Sequence, residues 1–84
     1  MFYVYILQSL KDGSYYVGQT KNLSDSFERH NSGRRLATRA KVPWERVHTE
    51  VFSTRSGAVK REQEIKSQKS RLYIERLLSH SDGA

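Results

Sequence analysis

The chain opens on a run in which β-branched and aromatic side chains dominate, Phe2-Tyr3-Val4-Tyr5-Ile6-Leu7-Gln8-Ser9. Such residues suit a strand, because bulk at Cβ packs well on a pleated surface. Lys11-Asp12-Gly13-Ser14 follows, and its Asp-Gly pair supplies the positive φ angles of a tight turn. Residues 15–19 (YYVGQ) then read as the returning strand, so the pattern predicts a hairpin. Asn22 is placed to cap a helix beginning at Leu23, with Asp25 in its first turn and Gly33 ready to end it in a left-handed conformation. Leu23, Phe27 and His30 share one side of that helix. Residues 33–43 (GRRLATRAKVP) have no apolar period and read as a basic loop, and Pro43 disfavours helix at the residue before it. Residues 46–52 (RVHTEVF) predict a third strand. Ser53 to Ser56 offer several N-caps for a second helix reaching about Lys66, and Ser70 caps a last helix carrying Leu72, Ile74, Leu77 and Leu78.

The order ββαβαα predicts a small α/β (α+β) domain, a three-stranded antiparallel sheet flanked by about three helices. One domain covers residues 1–78, and residues 79–84 form a flexible C-terminal tail. The chain has 84 residues, which holds one domain. A domain of this size buries roughly 60–65% of the surface its unfolded chain exposes, so its core is thin. Five Tyr, three Phe and one Trp supply buried area at few positions.

Composition narrows the chemistry. With no cysteine, disulfides, thiolate metal sites and cysteine nucleophiles are excluded. The N-terminal segment is too short and too alternating for a signal peptide, and no run approaches the ~20 apolar residues that span a bilayer. A cytoplasmic protein that does not engage the membrane is expected. Fifteen Lys and Arg against nine Asp and Glu give a net charge of +6. Polyanions, DNA above all, are therefore the first partners to consider.

Strand parity points to a candidate site. A two- or four-residue turn pairs hairpin residues whose numbers sum to an odd value, which puts Tyr16 and Gly18 on the face of Tyr3, Tyr5 and Leu7. Two phenols beside a glycine gap form a surface able to relay a proton or position water. They equally make an ordinary cross-strand aromatic cluster. On the second helix, Ala58, Arg61, Glu62 and Ile65 share a face, so Glu62 stands in or beside the apolar stripe while Glu64 does not. A carboxylate aimed at the sheet needs a partner. Either a hard divalent cation or a salt bridge to one of the fifteen basic side chains satisfies it.

Tyr3-Val4-Tyr5, ten intervening residues, then Tyr16-Val17-Gly18 resembles the paired signature of the GIY-YIG nuclease superfamily. The Thr-Lys-Asn-Leu helix start at residues 20–23, the His-Asn-Ser-Gly helix end at 30–33, and Ala58-x-x-x-Glu62 extend the resemblance over about residues 2–78. The chain is similar to the short, standalone, uncharacterised members of the superfamily. The resemblance implies a divalent-metal-dependent DNA endonuclease, with Mg²⁺ (or Mn²⁺) and no small-molecule cofactor. It makes Tyr5 and Tyr16 the residues that position or activate water, His30 a phosphate-binding or proton-transfer group, and Glu62 the metal ligand. Family nucleases also place an arginine ten residues after the second signature tyrosine, where it binds the scissile phosphate. This chain has Ser26 there, with Arg29 three residues on as a candidate substitute. Loss of one such preorganised group costs on the order of 10²–10³ in rate. A non-catalytic nucleic-acid-binding module of the same fold is the alternative that Ser26 favours.

Arg34, Arg35, Arg39 and Lys41 are the expected backbone contacts, since clustered cations hold phosphates without reading sequence. Trp44, just beyond, is expected as a core plug rather than a base-stacking platform. Lys60, Arg61, Lys66, Lys69 and Arg71 read as a solvated basic face.

Overall fold

The computed structural model describes residues 1–33 and 35–82. Strand β1 (Phe2–Ser9) and strand β2 (Tyr15–Thr20) form the predicted hairpin. Helix α1 (Leu23–Asn31) follows, then a 3₁₀ turn (Arg39–Lys41), strand β3 (Trp44–Phe52), helix α2 (Arg55–Ser67) and helix α3 (Arg71–Asp82). The three strands form one antiparallel sheet in the order β2-β1-β3. This is the ββαβαα α+β architecture that the sequence pattern predicts. No helix among the described residues is long and apolar enough to cross a membrane. Helix α3 continues beyond Leu78 to Asp82, while Gly83 and Ala84 lie outside the described residues.

Local signals place the elements. Ser9 N–H donates to Ser14 O at 2.8 Å, closing a four-residue loop, and Gly13 takes a φ of +78°. The odd-sum register follows, with Tyr5 opposite Gly18 and Leu7 opposite Tyr16. Asn22 Oδ1 accepts from Asp25 N–H at 3.0 Å, and Gly33 turns left-handed at φ +80° after α1. Of the candidate caps before α2, Thr54 is the one used, its hydroxyl accepting from Gly57 N–H. Ser70 Oγ accepts from Tyr73 N–H at the start of α3.

The sheet is covered on both faces. Val4, Ile6 and Val17 lie on one face, buried with Ala58 and Ile65 of α2 and with Ile74 and Leu77 of α3 packed around them. Tyr5 and Leu7 lie on the other, buried with Trp44 and flanked by Tyr16, Phe27 and Val42. Trp44 reaches that face through an irregularity. Ile6 pairs with His48 but Leu7 pairs with Arg46, so Val47 is an extra residue in β3. The bulge shifts the parity of the strand's first residues and turns Trp44 toward the Tyr5 face. Trp44 is 4% exposed there and donates its indole N–H to Thr38 O at 3.0 Å, so it is the core plug that was expected.

Candidate active site

Tyr5 is the centre of the polar face. Its ring lies across β2 over Gly18: a Cβ on that glycine would stand 2.5 Å from the Tyr5 hydroxyl and 2.7 Å from Cζ. The glycine gap anticipated as open backbone is thus filled, because only a residue without Cβ lets the ring cross the neighbouring strand. Passing over Gly18, the hydroxyl reaches α1. It stands 3.0 Å from Ser26 Oγ and 3.0 Å from His30 Nε2. Ser26 and His30 are one helical turn apart, so both aim at the same point. On its other side His30 Nδ1 is 2.9 Å from Thr38 Oγ1, in the loop before β3.

These four groups form a continuous buried chain, Ser26–Tyr5–His30–Thr38, with every member under 6% exposed. Two proton arrangements satisfy it, related by reversing each hydrogen bond in turn. Burial pushes the Tyr5 phenol up, against a hydrogen bond from Ser26, and the Tyr16 phenol and the Glu62 carboxylate raise it further. Burial also pushes the His30 imidazolium down, and the nearby Arg35 charge lowers it again. Both groups are therefore favoured in their neutral forms at ordinary pH, in which each can donate and accept along the chain.

Tyr16 stands outside this chain. Its ring packs 4.7 Å from His30 and 6.2 Å from Trp44, centroid to centroid. It is half-buried, and its hydroxyl has no hydrogen-bond partner among the described residues. The neighbouring Asn31 latches the loop shut: its amide donates to Trp44 O at 3.0 Å, and its carbonyl accepts from Trp44 N–H. The His-Asn pair ending α1 thus serves two purposes, His30 holding Tyr5 and Asn31 holding the start of β3.

The remaining sequence candidates occupy distinct places. Arg29 pairs with Asp25 at 2.9 Å, both side chains about half exposed. Arg35 is exposed, and its charge lowers both the Tyr5 phenol and the His30 imidazolium. Arg39 is exposed on the 3₁₀ turn. Lys41 is tethered to the hairpin tip, donating to Ser14 Oγ at 3.0 Å with Asp12 at 3.5 Å. Arg34 lies outside the described residues. Glu62 is partly buried on α2, its side chain 17% exposed, and it accepts from Lys66 Nζ at 2.9 Å. The salt bridge left open by the sequence is therefore formed. Among the described residues no group of three or more His, Cys, Asp or Glu gathers to hold a metal. A single carboxylate fits Mg²⁺ all the same, because that ion keeps several waters and borrows substrate phosphate oxygens.

Sequence reasoning missed Thr38, an isolated threonine in a basic loop with no pattern to mark it. It also misjudged Arg61. That guanidinium is not solvated: it grips Glu50 through Nε at 2.8 Å and NH2 at 3.0 Å, and its NH1 lies 3.3 Å from the Tyr73 hydroxyl. Hydrogen bonding to Glu50 holds the Arg61 guanidinium charged beyond its already high pKa.

A sequence profile of the GIY-YIG catalytic domain matches residues 1–75. The chain is 43% identical over 82 residues to a UPF0213 protein of Natronomonas pharaonis, covering 96% of this chain and 94% of that one. It is 41% identical over 66 residues to a UPF0213 protein of Staphylococcus saprophyticus, covering 77% of this chain and 79% of that one. Among solved structures, it is similar to the solution NMR structure of a UPF0213 protein from Bacillus halodurans. That match has 38% identity and a TM-score of 0.59, and it covers 94% of this chain and 84% of the other.

Proposed function

The chain belongs to the GIY-YIG catalytic-domain family, and from that premise we propose that it is a DNA endonuclease, hydrolysing phosphodiester bonds with a divalent metal ion. What supports this reading is a half-buried phenol with an uncommitted hydroxyl, Tyr16, packed against a buried proton relay. Tyr16 aligns the attacking water. Tyr5 and His30, held by Ser26 and Thr38, fix the floor on which Tyr16 rests. Water oxygen joins phosphorus as the bond to the leaving oxygen breaks, the water giving up a proton to solvent and the leaving oxygen taking one from solvent. Glu62 would hold Mg²⁺ or Mn²⁺, which when bound supplies positive charge to the phosphoryl oxygens. Arg34, Arg35, Arg39 and Lys41 steer and grip the phosphate backbone. With Ser26 in place of arginine, turnover is slow.

One observation favours the second reading, a nucleic-acid-binding module without chemistry. Ser26 spends its hydroxyl on Tyr5, and Glu62 spends its carboxylate on Lys66. Incubation with branched, nicked and single-stranded DNA, in Mg²⁺, Mn²⁺ or chelator, separates the two. Metal-dependent cleavage that disappears in Glu62→Ala and falls in Tyr16→Phe supports the nuclease. Binding without cleavage supports the module. No binding at low salt sinks both.

A further inference from the structure

A groove of about 330 Å³ opens on the Val4 side of the sheet, away from Tyr5 and Tyr16, where the hairpin meets the junction of α2 and α3. Tyr15, Val17, Ile65 and Ile74 form an apolar floor, and Lys66, Lys69 and Arg71 stand on its rim, the Arg71 guanidinium lying over the Tyr15 ring 4.8 Å from its centroid. This volume lies at the lower end of the range of about 300–1,000 Å³ typical of ligand pockets, so it suits one small planar group better than a peptide segment.

Two features of the rim point to an anion. Lys69 has a φ of +48°, a left-handed conformation in which a glycine would sit without strain. A lysine kept in a costly backbone position suggests that its side chain is used. Its ammonium forms no ion pair among the described residues. In addition, α3 begins at this rim, and the positive end of its dipole adds to the two ammonium groups. An apolar floor under a cationic rim matches a nucleotide, with its flat base and attached phosphate.

The rim reaches one of the candidate site residues. Lys66 Nζ, on the groove, is the group that neutralises Glu62. We propose that this groove binds one unpaired nucleotide of the nucleic-acid substrate, its base on Ile74 and against the Arg71 guanidinium that covers Tyr15, its phosphate against Lys66 and Lys69, and that this engagement draws Lys66 off Glu62. The inference rests on the nuclease reading for the identity of the substrate and for the use of Glu62. It makes DNA with an unpaired segment the preferred target, since only an unstacked base can enter.

Binding can be followed without cleavage. The full chain, labelled with ¹⁵N, is titrated with an oligothymidylate of about eight nucleotides and with a blunt duplex of equal length. Amide shifts at Ser14, Val17, Lys69 and Ile74 are expected with the oligothymidylate and much smaller ones with the duplex. Lys69→Gly relieves the left-handed strain, so it should melt no lower than the parent yet bind the oligothymidylate roughly tenfold more weakly, with a salt slope smaller by about 1. Mn²⁺ added to the complex should broaden amides around Glu62 more than Mn²⁺ added to the free protein. Silent groove residues, an unchanged affinity in Lys69→Gly, equal Mn²⁺ broadening, or an acidic peptide bound there as tightly would each overturn the proposal. Failure of cleavage alone would count against the nuclease reading and leave these binding results as they stand.

Discussion

The two faces of the sheet are built on different physics. The Val4 face is apolar and covered by two helices. At its margin Arg61, with Glu50, Tyr73 and His48, ties β3, α2 and α3 together. The Tyr5 face is covered by one short helix and a loop, and its deepest groups are polar: Ser9, Ser26, His30 and Thr38 are all 5% exposed or less. Both faces leave no buried polar side-chain atom unpaired among the described residues. The first stabilises by area, the second by mutual satisfaction of hydrogen bonds. In the second, position matters more than bulk, which is what a site requires and a core does not.

The contrast can be broken from the apolar side first. Ile65, 2% exposed, contacts the centre of the Val4 cluster. Ile65→Ala should cost about 2–5 kcal/mol by chemical denaturation, the penalty of a core cavity. That is a large share of what an 84-residue domain has. The Tyr16–His30 stacking should survive under conditions where the variant stays folded.

On the polar face a far smaller change should act through geometry. Gly18→Ala adds one methyl where the Tyr5 ring already lies. The ring must lift, and both contacts of its hydroxyl go with it. We expect a loss of about 1–3 kcal/mol, typical of overpacking, and a shift of the His30 ring resonances in NMR out of proportion to that loss. Retention of the native His30 spectrum would show that the ring does not depend on the glycine.

The smallest effect is in pH. His30 binds its proton less readily when folded, so below the ordinary value of 6.5 the unfolded chain takes up more protons and stability falls as pH drops. Tyr5 releases its proton less readily when folded, so above 10.0 stability falls as pH rises. Glu50 adds a third limb. Burial raises its carboxyl, but the hydrogen bonds from Arg61 and His48 outweigh this and hold it below 4.5, so its contribution is lost only at lower pH. Thermal melts of His30→Gln should lose the decline that begins near 6.5 and keep the one below 4.5.

These faces were unequally legible in the sequence. The hairpin, its register and the pairing of Tyr5 with Tyr16 on one face follow from a period of two and an Asp-Gly turn, which are local facts. Glu62 was legible as a carboxylate beside an apolar stripe, because helical spacing is local too. The relay was not. Whether Ser26 and His30 meet Tyr5 depends on how α1 docks, and Thr38 joins only because the loop folds back under Asn31. The bulge at Val47, which sends Trp44 to the Tyr5 face, has no signature in residue type. Arg61 misled for the opposite reason: its spacing placed it near the stripe, but its partner Glu50 lies on a different element.

The account turns on Ser26, where the resemblance implies a phosphate-binding arginine and this chain has a hydroxyl 3.0 Å from that of Tyr5. The most direct test is the initial rate of branched-DNA cleavage in Mg²⁺ by the parent and by Ser26→Arg, with a melt of each to confirm folding. A slow parent, a variant faster by about 10²-fold, and loss of both activities in chelator and in Glu62→Ala are the predicted results. A folded Ser26→Arg that cleaves no faster, or cleavage by the parent that Glu62→Ala leaves unchanged, would contradict it.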